Sequence, residues 1–487
     1  MNFDLQQPKI SPAAISLWLR ERAYASPALK YPYRSLRDIQ SQLALLRNQP
    51  YEAAARMLST WRHLGTEGFG TKRVARVMQL VRENCFQPLT DRTADATAQV
   101  NGAELLPAAE NRLRLEFIRS EKARALRQLY GSFPLEHRLR LRFPNDDDPE
   151  RQGDLIILKP YNETTGERGV IMLMYSEAIL AAAAVYDLGA LASRYMFVLE
   201  PSWWGYQDAR FLLYLGSDLD VLIQSPRRAD FEFVADLQTN LVPVQVGAGE
   251  WGDPSVFRPR AADQAATYDA VMVAAWDPLK RHEVFFRAAV RFRREHGRRL
   301  RIALVGYDLG WNREAIEKLL RHYELDRDSD IVENIPHAEV ARIVADSKVS
   351  LLLSQREGAN RAIYESMFCG TPVIVYRHQC GVNLDHVNAS TGLLADENEL
   401  PAAIKHVLDH HSDFEPRGWA LANVGYLNAN NKINTSLSEL ARRRGLPWTR
   451  EIAAKKSAPN LRYAQVGLYR EFAADYEALE AYLLPLD

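Results

Sequence analysis

The feature that most constrains this chain is a change of rhythm after Gly153. Short apolar runs begin to alternate with amphipathic stretches. The first set of runs is Leu155–Leu158, Val170–Met174, Tyr195–Leu199, Val221–Ile223 and Val242–Val246. A proline-bearing segment, Gly252 to Pro259, closes it. A second set follows: Val271–Ala275, Ile302–Val305, Asp330–Val332, Val349–Leu353 and Pro372–Val375. Helical periodicity covers about 282–296, 312–323, 338–346, 360–369 and 398–410 between and after these runs. Strands apolar on both faces, separated by amphipathic helices, describe parallel sheets with crossover helices. Two successive sets predict an α/β protein with two tandem Rossmann-like domains, 151–260 and 261–410.

The flanking parts read differently. Residues 1–150 place apolar residues three and four apart over Pro12–Arg22, Tyr33–Asn48, Glu52–Trp61, Lys72–Asn84 and Leu113–Tyr130, predicting a helical extension. A Thr-, Ala-, Asp- and Gly-rich linker lies near 90–107, and Asn145-Asp-Asp-Asp-Pro149 marks a break. Residues 411–487 read as a polar tail that becomes helical from Tyr463 to Leu483 and packs back on the first Rossmann-like domain. Lys+Arg number 61 and Asp+Glu 62. That balance excludes a nucleic-acid coat protein, which would carry a basic excess. Residues 1–150 hold 23 basic and 17 acidic residues, a local excess open to three readings: contact with an anionic membrane surface, with a partner, or only with the chain's own Rossmann-like domains. Three cysteines, Cys85, Cys369 and Cys380, form neither a disulfide framework nor a zinc pair. The opening residues lack a basic run followed by an apolar core, and no stretch has the roughly 20 apolar residues of a membrane span. A cytoplasmic protein, peripheral at most to a membrane, is expected.

Several motifs carry little chemistry. Gly247-Ala-Gly249-Glu-Trp-Gly252 matches G-x-G-x-x-G, but Pro254 and Pro259 follow where a helix should open, so it reads as a connecting loop. The Asp-x-Asp pairs Asp146/Asp148, Asp218/Asp220, Asp326/Asp328 and Asp328/Asp330 lie in polar turns, and no metal is expected. The informative string is Ser354-Gln-Arg-Glu357-Gly358-Ala359-Asn360-Arg361-Ala-Ile-Tyr-Glu365-Ser-Met-Phe-Cys369-Gly370-Thr-Pro372. It runs from a strand end through a loop to a helix opening near Asn360, an N-cap residue type. Open α/β sheets bind ligands at such carboxyl ends, and helix N-termini suit phosphate. Gly358 and Ala359 let a ligand approach the backbone. Glu357, in the loop, and Glu365, about 7.5 Å along the helix axis from Asn360, flank the anion position, and each carboxylate can grip a vicinal diol.

This string resembles the Glu-x₇-Glu motif of retaining family 4 (group 1) glycosyltransferases, which runs Glu-Gly-Phe-Gly, apolar residues, then Glu-Ala-Met-Ala-Cys-Gly-Thr-Pro-Val. Glu357, Gly358, Glu365, Met367, Cys369, Gly370, Thr371, Pro372 and Val373 stand in register. Asp253-Pro-Ser-Val-Phe257-Arg-Pro259 is similar to the family's Asp-x₃-Phe-x-Pro, and Ser390-Thr-Gly392-Leu-Leu to its Thr-Gly-Leu-Leu loop. The resemblance spans about 154–410. It implies a GT-B fold with the N-terminal Rossmann-like domain on the acceptor side and the C-terminal one holding the donor. It also implies sugar transfer from a nucleotide-diphosphate sugar to an acceptor glycan, lipid-linked sugar or small molecule, with retention and without a metal or other cofactor.

Residue by residue, the resemblance implies that Glu357 contacts the donor sugar and Glu365 the ribose, with backbone amides from Gly358, Ala359, Asn360 and Arg361 on the phosphates. Val271 to His282 is similar to the family's Gly-Arg-Leu-x₃-Lys-Gly-His. Lys280 matches the lysine that neutralises the diphosphate, whereas Ala275 stands where the family has arginine, leaving Arg281 or Arg361 to supply that charge. The family's acceptor-side histidine has no counterpart, since none occurs between His137 and His282. Glu200, at the comparable strand end, is the candidate acid or base. Gly166, Gly169 and Trp203 are candidates for the acceptor-side cleft loop. A nucleotide-sugar epimerase, or a non-catalytic nucleotide-sugar or glycan-binding subunit, would use the same scaffold.

Overall fold

In the computed structural model, the described residues are 27–47, 49–64, 111–144, 148–201, 209–216, 219–237, 239–261, 263–358, 360–457 and 461–486. The expected helices at Pro12–Arg22 and Lys72–Asn84 and the linker near 90–107 lie outside them, as do Trp203 and Ala359. The described chain divides into two compact units. The first comprises the described parts of 26–248, 430–456 and 460–487; the second comprises 249–429 with Ser457.

The second unit holds a six-stranded parallel sheet: β6 (Ala270–Val273), β7 (Ile302–Gly306), β8 (Ser329–Glu333), β9 (Ser350–Leu352), β10 (Val373–Tyr376) and β11 (Gly392–Ala395). Along these strands alternate residues enter two cores. Ala270, Met272, Ile302, Leu304, Leu351 and Ile374 pack with Phe285, Phe286, Ile404 and Val407 of helices His282–His296 and Leu400–Asp409. Val271, Ala303, Val305, Leu352, Val373 and Val375 pack on the other face with Val344, Ile363 and Met367 of helices His337–Ala345 and Ala362–Phe368. Period two with both faces covered explains the unbroken apolar runs. The spatial order is β11-β10-β9-β6-β7-β8. The winding direction therefore reverses between β6 and β9, a switch point at whose carboxyl ends such sheets open a crevice.

The first unit holds β1 (Leu155–Lys159), β2 (Gly169–Met174), β3 (Tyr195–Glu200), β4 (Val221–Gln224) and β5 (Leu241–Val244). Their spatial order is the sequence order. β2 to β5 are parallel, as the alternating pattern predicts, and β1 adds an antiparallel edge beside β2. A nine-residue loop between β1 and β2 is too short for a crossover helix, so the chain turns back as a hairpin. Helices Pro27–Leu46, Pro50–Leu64, Arg112–Ile118, Glu121–Gly131 and Leu135–Leu139 belong to this unit.

The C-terminal chain also returns to the first unit, where the Tyr476 hydroxyl accepts from Ile157 N at 3.0 Å and the Tyr463 hydroxyl donates to Ile157 O at 2.6 Å. The stretch read as a polar tail contains an 18-residue helix, Tyr426–Arg443. Buried Ala429, Ile433, Leu437, Leu440 and Ala441 supply its helical period, which the weak helix formers of Asn428-Ala-Asn-Asn431 obscure. The single helix expected from Tyr463 is instead β13 (Leu461–Tyr463), pairing with β12 (Lys455–Ser457), and short helical turns that begin after Gly467 at φ 84. Among the described residues, no helix is long and apolar enough to cross a membrane.

Candidate functional site

The switch point brings together two loops, one after β6 and one after β9. The first is built by Asp277, Pro278 and Arg281. The Asp277 side chain accepts from Leu279 N at 2.7 Å, Pro278 opens a 3₁₀ turn over Pro278–Lys280, and Arg281 closes it in the left-handed region. Lys280 is thereby held at a defined place before helix His282–His296. His282 is fully buried, and burial drives its imidazole pKa down to about 3 with a smaller push from Lys280, so it is a neutral core ring at physiological pH.

The second loop carries Glu357. Lys280 Nζ donates to both of its carboxylate oxygens, at 2.8 and 2.7 Å, and Ser354 Oγ donates to Oε1 at 2.6 Å. The backbone is clamped as well. Glu357 N donates to Cys380 O at 2.9 Å and Cys380 N to Gln355 O at 2.8 Å. Gly381, at φ 123, lies against this loop, and a Cβ there would stand 1.9 Å from the Glu357 carbonyl oxygen. Lys280 and Glu357 keep 23% and 7% side-chain exposure. Sequence reasoning missed Asp277, Ser354, Cys380 and Gly381. Asp-Pro before Lys280 was a legible turn signal, whereas Gly381 acts across space on a residue 24 positions away.

Glu365 sits in helix Ala362–Phe368, seven residues long and starting later than expected. Arg361 stands at the N-cap position, and Asn360 just before it accepts from Ile363 N through Oδ1 at 3.2 Å. The helix stops at a Schellman motif in which Gly370, at φ 75, donates to Met367 O and Thr371 N donates to Ser366 O. That geometry accounts for Gly370-Thr371 in the string. Two turns make a small dipole, so the macrodipole contributes less here than a longer helix would supply. Glu365 itself is 6% exposed. Burial pushes its pKa up, Arg361 pulls it back, and Oε1 has no hydrogen-bond partner among the described residues. Arg361 Nε lies 4.0 Å away while its Nη1 donates to Ser457 O at 2.7 Å. A buried carboxylate oxygen without a donor costs free energy that an incoming hydroxyl would recover.

Arg281 is engaged within the protein. Its Nη1 donates to Leu353 O at 3.0 Å and its Nη2 pairs with Glu397. Ala275 is buried beside the fully buried Trp276, whose indole nitrogen donates to Glu333. Gly249 of the G-x-G-x-x-G string packs on this site, since a Cβ there would stand 2.1 Å from Asn360 O. Close backbone approach explains that glycine. Among the described residues no group of three or more His, Cys, Asp or Glu side chains is arranged to hold a metal ion. Asp328 and Asp330 pair with Arg299 and Arg301, at 2.7 and 2.6 Å.

In the first unit the candidates separate. Glu200, at the carboxyl end of β3, is 1% exposed, and the fully buried Lys455 Nζ stands 3.5 Å from it. Burial drives Lys455 down to about 8 and Glu200 pulls it back up. Asp154 nearby is pushed up to about 7, mainly by burial, against an opposing pull from Arg151 and with further raising by Glu177 and Glu200. Gly166 and Gly169 lie at the opposite end. Because β1 is antiparallel, the loop after it sits at the amino ends of the parallel strands, Gly169 being in register with Tyr195 and Met174 with Glu200. They do not form a loop at the ligand-binding end, which corrects that expectation. Gly169 is required by packing: a Cβ would stand 2.6 Å from Lys159 O and the Tyr195 ring. The corresponding turn at the carboxyl end is Met174-Tyr175-Ser176, with Tyr175 at φ 66 opening helix Tyr175–Val185. No glycine marks it in the sequence.

Residues 258–415 match the family model of glycosyl transferases group 1. No curated protein matches the chain. Among solved structures, sucrose-phosphate synthase from Thermosynechococcus elongatus is 18% identical over 57% of this chain and 73% of its own, with a TM-score of 0.41. HepE from Anabaena, solved with UDP, is 14% identical over 55% of this chain and 79% of its own, with a TM-score of 0.42. At that identity and that TM-score, neither likeness bears on the chemistry of this chain.

Proposed function

We propose that the glycosyl transferases group 1 segment makes this protein a retaining glycosyltransferase that uses a nucleotide-diphosphate sugar. One observation carries the reading: at the switch point of the second sheet, Lys280 and Glu357 meet from two strand ends while buried Glu365 keeps an oxygen that accepts no hydrogen bond among the described residues. Lys280 is the charge for the diphosphate, which becomes more negative as the glycosidic bond to it breaks. Glu357, already oriented by Ser354 and its backbone clamp, accepts from donor-sugar hydroxyls. Glu365 accepts from the ribose diol. Donor binding then redistributes the Lys280 ammonium between Glu357 and the phosphates. The acceptor hydroxyl attacks on the face from which the nucleotide leaves, with the departing phosphate taking its proton and no metal required.

A thermal-shift panel of UDP, GDP, ADP and their hexose conjugates tests this, because a ligand at 100 times its Kd stabilises by about 2.7 kcal/mol. At least one nucleotide is expected to raise Tm in the full chain, and its sugar conjugate to release free nucleotide diphosphate slowly in water. No shift across the panel would sink the proposal. Ala275 in the arginine position, with Arg281 and Arg361 both engaged, favours a second reading as a nucleotide-sugar-binding subunit. Binding with no release of nucleotide diphosphate, with or without added acceptor sugars, would select it.

A further inference from the structure

Arg281 has a backbone that arginine would not choose. Its φ and ψ are 62° and 42°, in the left-handed region where a Cβ crowds the following carbonyl and glycine is preferred. The family resembled by this segment carries glycine there. Something must hold the strained conformation, and three contacts of the side chain do so. Nη1 donates to Leu353 O at 3.0 Å, Nη2 pairs with Glu397, and the guanidinium carbon lies 4.8 Å from the centre of the Tyr376 ring. Glu397 also pairs with Arg287 at 3.0 Å.

These partners are the carboxyl ends of three neighbouring strands. Leu353 follows β9 and precedes Ser354, the residue that hydrogen-bonds Glu357. Tyr376 ends β10, and Glu397 lies two residues beyond β11. One guanidinium thus ties the residue after Lys280 to the strand ends that present Glu357. We infer that Arg281 is a positioning residue, a brace that fixes Lys280 against the Glu357 loop, rather than the cation replacing the arginine lost at Ala275. A planar fork that bonds a carbonyl and a carboxylate while stacking on a ring suits this task as a lysine would not. The inference rests on the reading of this crevice as a donor site.

The test uses the full chain with Arg281→Gly, Arg281→Lys, Glu397→Gln and the Arg281→Gly/Glu397→Gln double variant. Glycine keeps the left-handed backbone, so folding is preserved while the brace is lost. Two quantities are read: affinity for UDP, GDP and ADP by calorimetry, and acetylation of Lys280 by acetic anhydride, followed by peptide mass spectrometry. The brace predicts nucleotide binding about tenfold weaker for Arg281→Gly and Arg281→Lys, equivalent to about 1.4 kcal/mol. Glu397→Gln should weaken it in the same direction, and the double variant should be no weaker than Arg281→Gly. Lys280 should acetylate faster in every variant. A phosphate-contacting Arg281 predicts the reverse for Glu397→Gln, tighter binding as the guanidinium is freed, and that result overturns the brace. So does unchanged Lys280 acetylation in Arg281→Gly. If the unaltered protein binds none of the three nucleotides, the donor-site reading fails, while the acetylation rates still decide whether Arg281 braces Lys280.

Discussion

The two units share one construction rule, strands alternating with helices, yet among the described residues only the second sheet has a switch point. In the second unit β6 lies between β7 and β9, so the loops after β6 and β9 diverge around a crevice and carry Lys280 and Glu357 to it. In the first unit the strands lie in chain order, and the acid at the carboxyl end of β3, Glu200, is paired with Lys455 delivered by the C-terminal chain. The lesson is that a strand-end carboxylate is not by itself a site. Glu357 and Lys280 keep some exposure, whereas Glu200 and Lys455 are closed to solvent and form an ion pair at 3.5 Å.

That contrast can be broken by mutation. The largest effect should come from Lys455→Met, which removes the ammonium 3.5 Å from buried Glu200 and should cost about 3–5 kcal/mol of stability by denaturant titration. Glu200→Gln/Lys455→Met together should recover most of it, and nucleotide binding should be unaltered in the double variant. A double variant as unstable as the single would show that Lys455 matters for something other than its charge. The pH profile sharpens the point. The folded-state pKa of Lys455 is about 8 against an ordinary 10.5, so the unfolded chain holds the proton more readily. Its contribution is therefore fully present above pH 10.5 and lost as pH falls through 8. The difference in stability between the double variant and the unaltered protein should narrow across that window.

Next in size is Gly381→Ala. A Cβ at φ 123 and 1.9 Å from the Glu357 carbonyl forces the loop to move, at about 1–3 kcal/mol, and should abolish any nucleotide-induced rise in Tm. Gly166→Ala is the matched control: φ is 70 but nothing lies within 4 Å, so it should cost about 1 kcal/mol and leave nucleotide binding intact. Equal effects of the two on nucleotide binding would contradict the placement of the site. The smallest stability effect, with a weakening of nucleotide binding, belongs to Glu365→Gln. Burial raises the Glu365 pKa, so the stability of its neutral form is full below the ordinary value of 4.5 and lost as pH rises through the folded value. Glutamine removes that cost, and Tm at pH 7 should rise by about 2–4 °C for each kcal/mol recovered, while nucleotide binding weakens. A lowered Tm would mean that the ionised Glu365 is already well paired.

Much of the second unit was legible because its strands are apolar on both faces and its site string is continuous. Ser354 to Pro372 carries both acids, Asn360 just before the helix and the helix-stopping Gly370 in one stretch. The first unit was harder. Gly166 and Gly169 looked like a turn at the ligand-binding end, and only the antiparallel pairing of β1 moved them to the other end of the sheet. Tyr175 carries a left-handed turn without the glycine that would announce it. Helix Tyr426–Arg443 was hidden by its asparagines, although five buried apolar residues keep its period.

By itself the amino-acid sequence determined the α/β class, the two sets of strands and the continuous string from Ser354 to Pro372, because periodicity, capping and turn chemistry are local. The tertiary structure alone decided strand order, and with it which strand ends face a crevice. It also decided that Lys280 meets Glu357 across 77 positions, that Lys455 seals Glu200 across 255, and that Arg281 is spent inside the protein. Strand order is settled by how helices cover two sheet faces and by which side chains then come into reach, and neither is written in any short window of sequence.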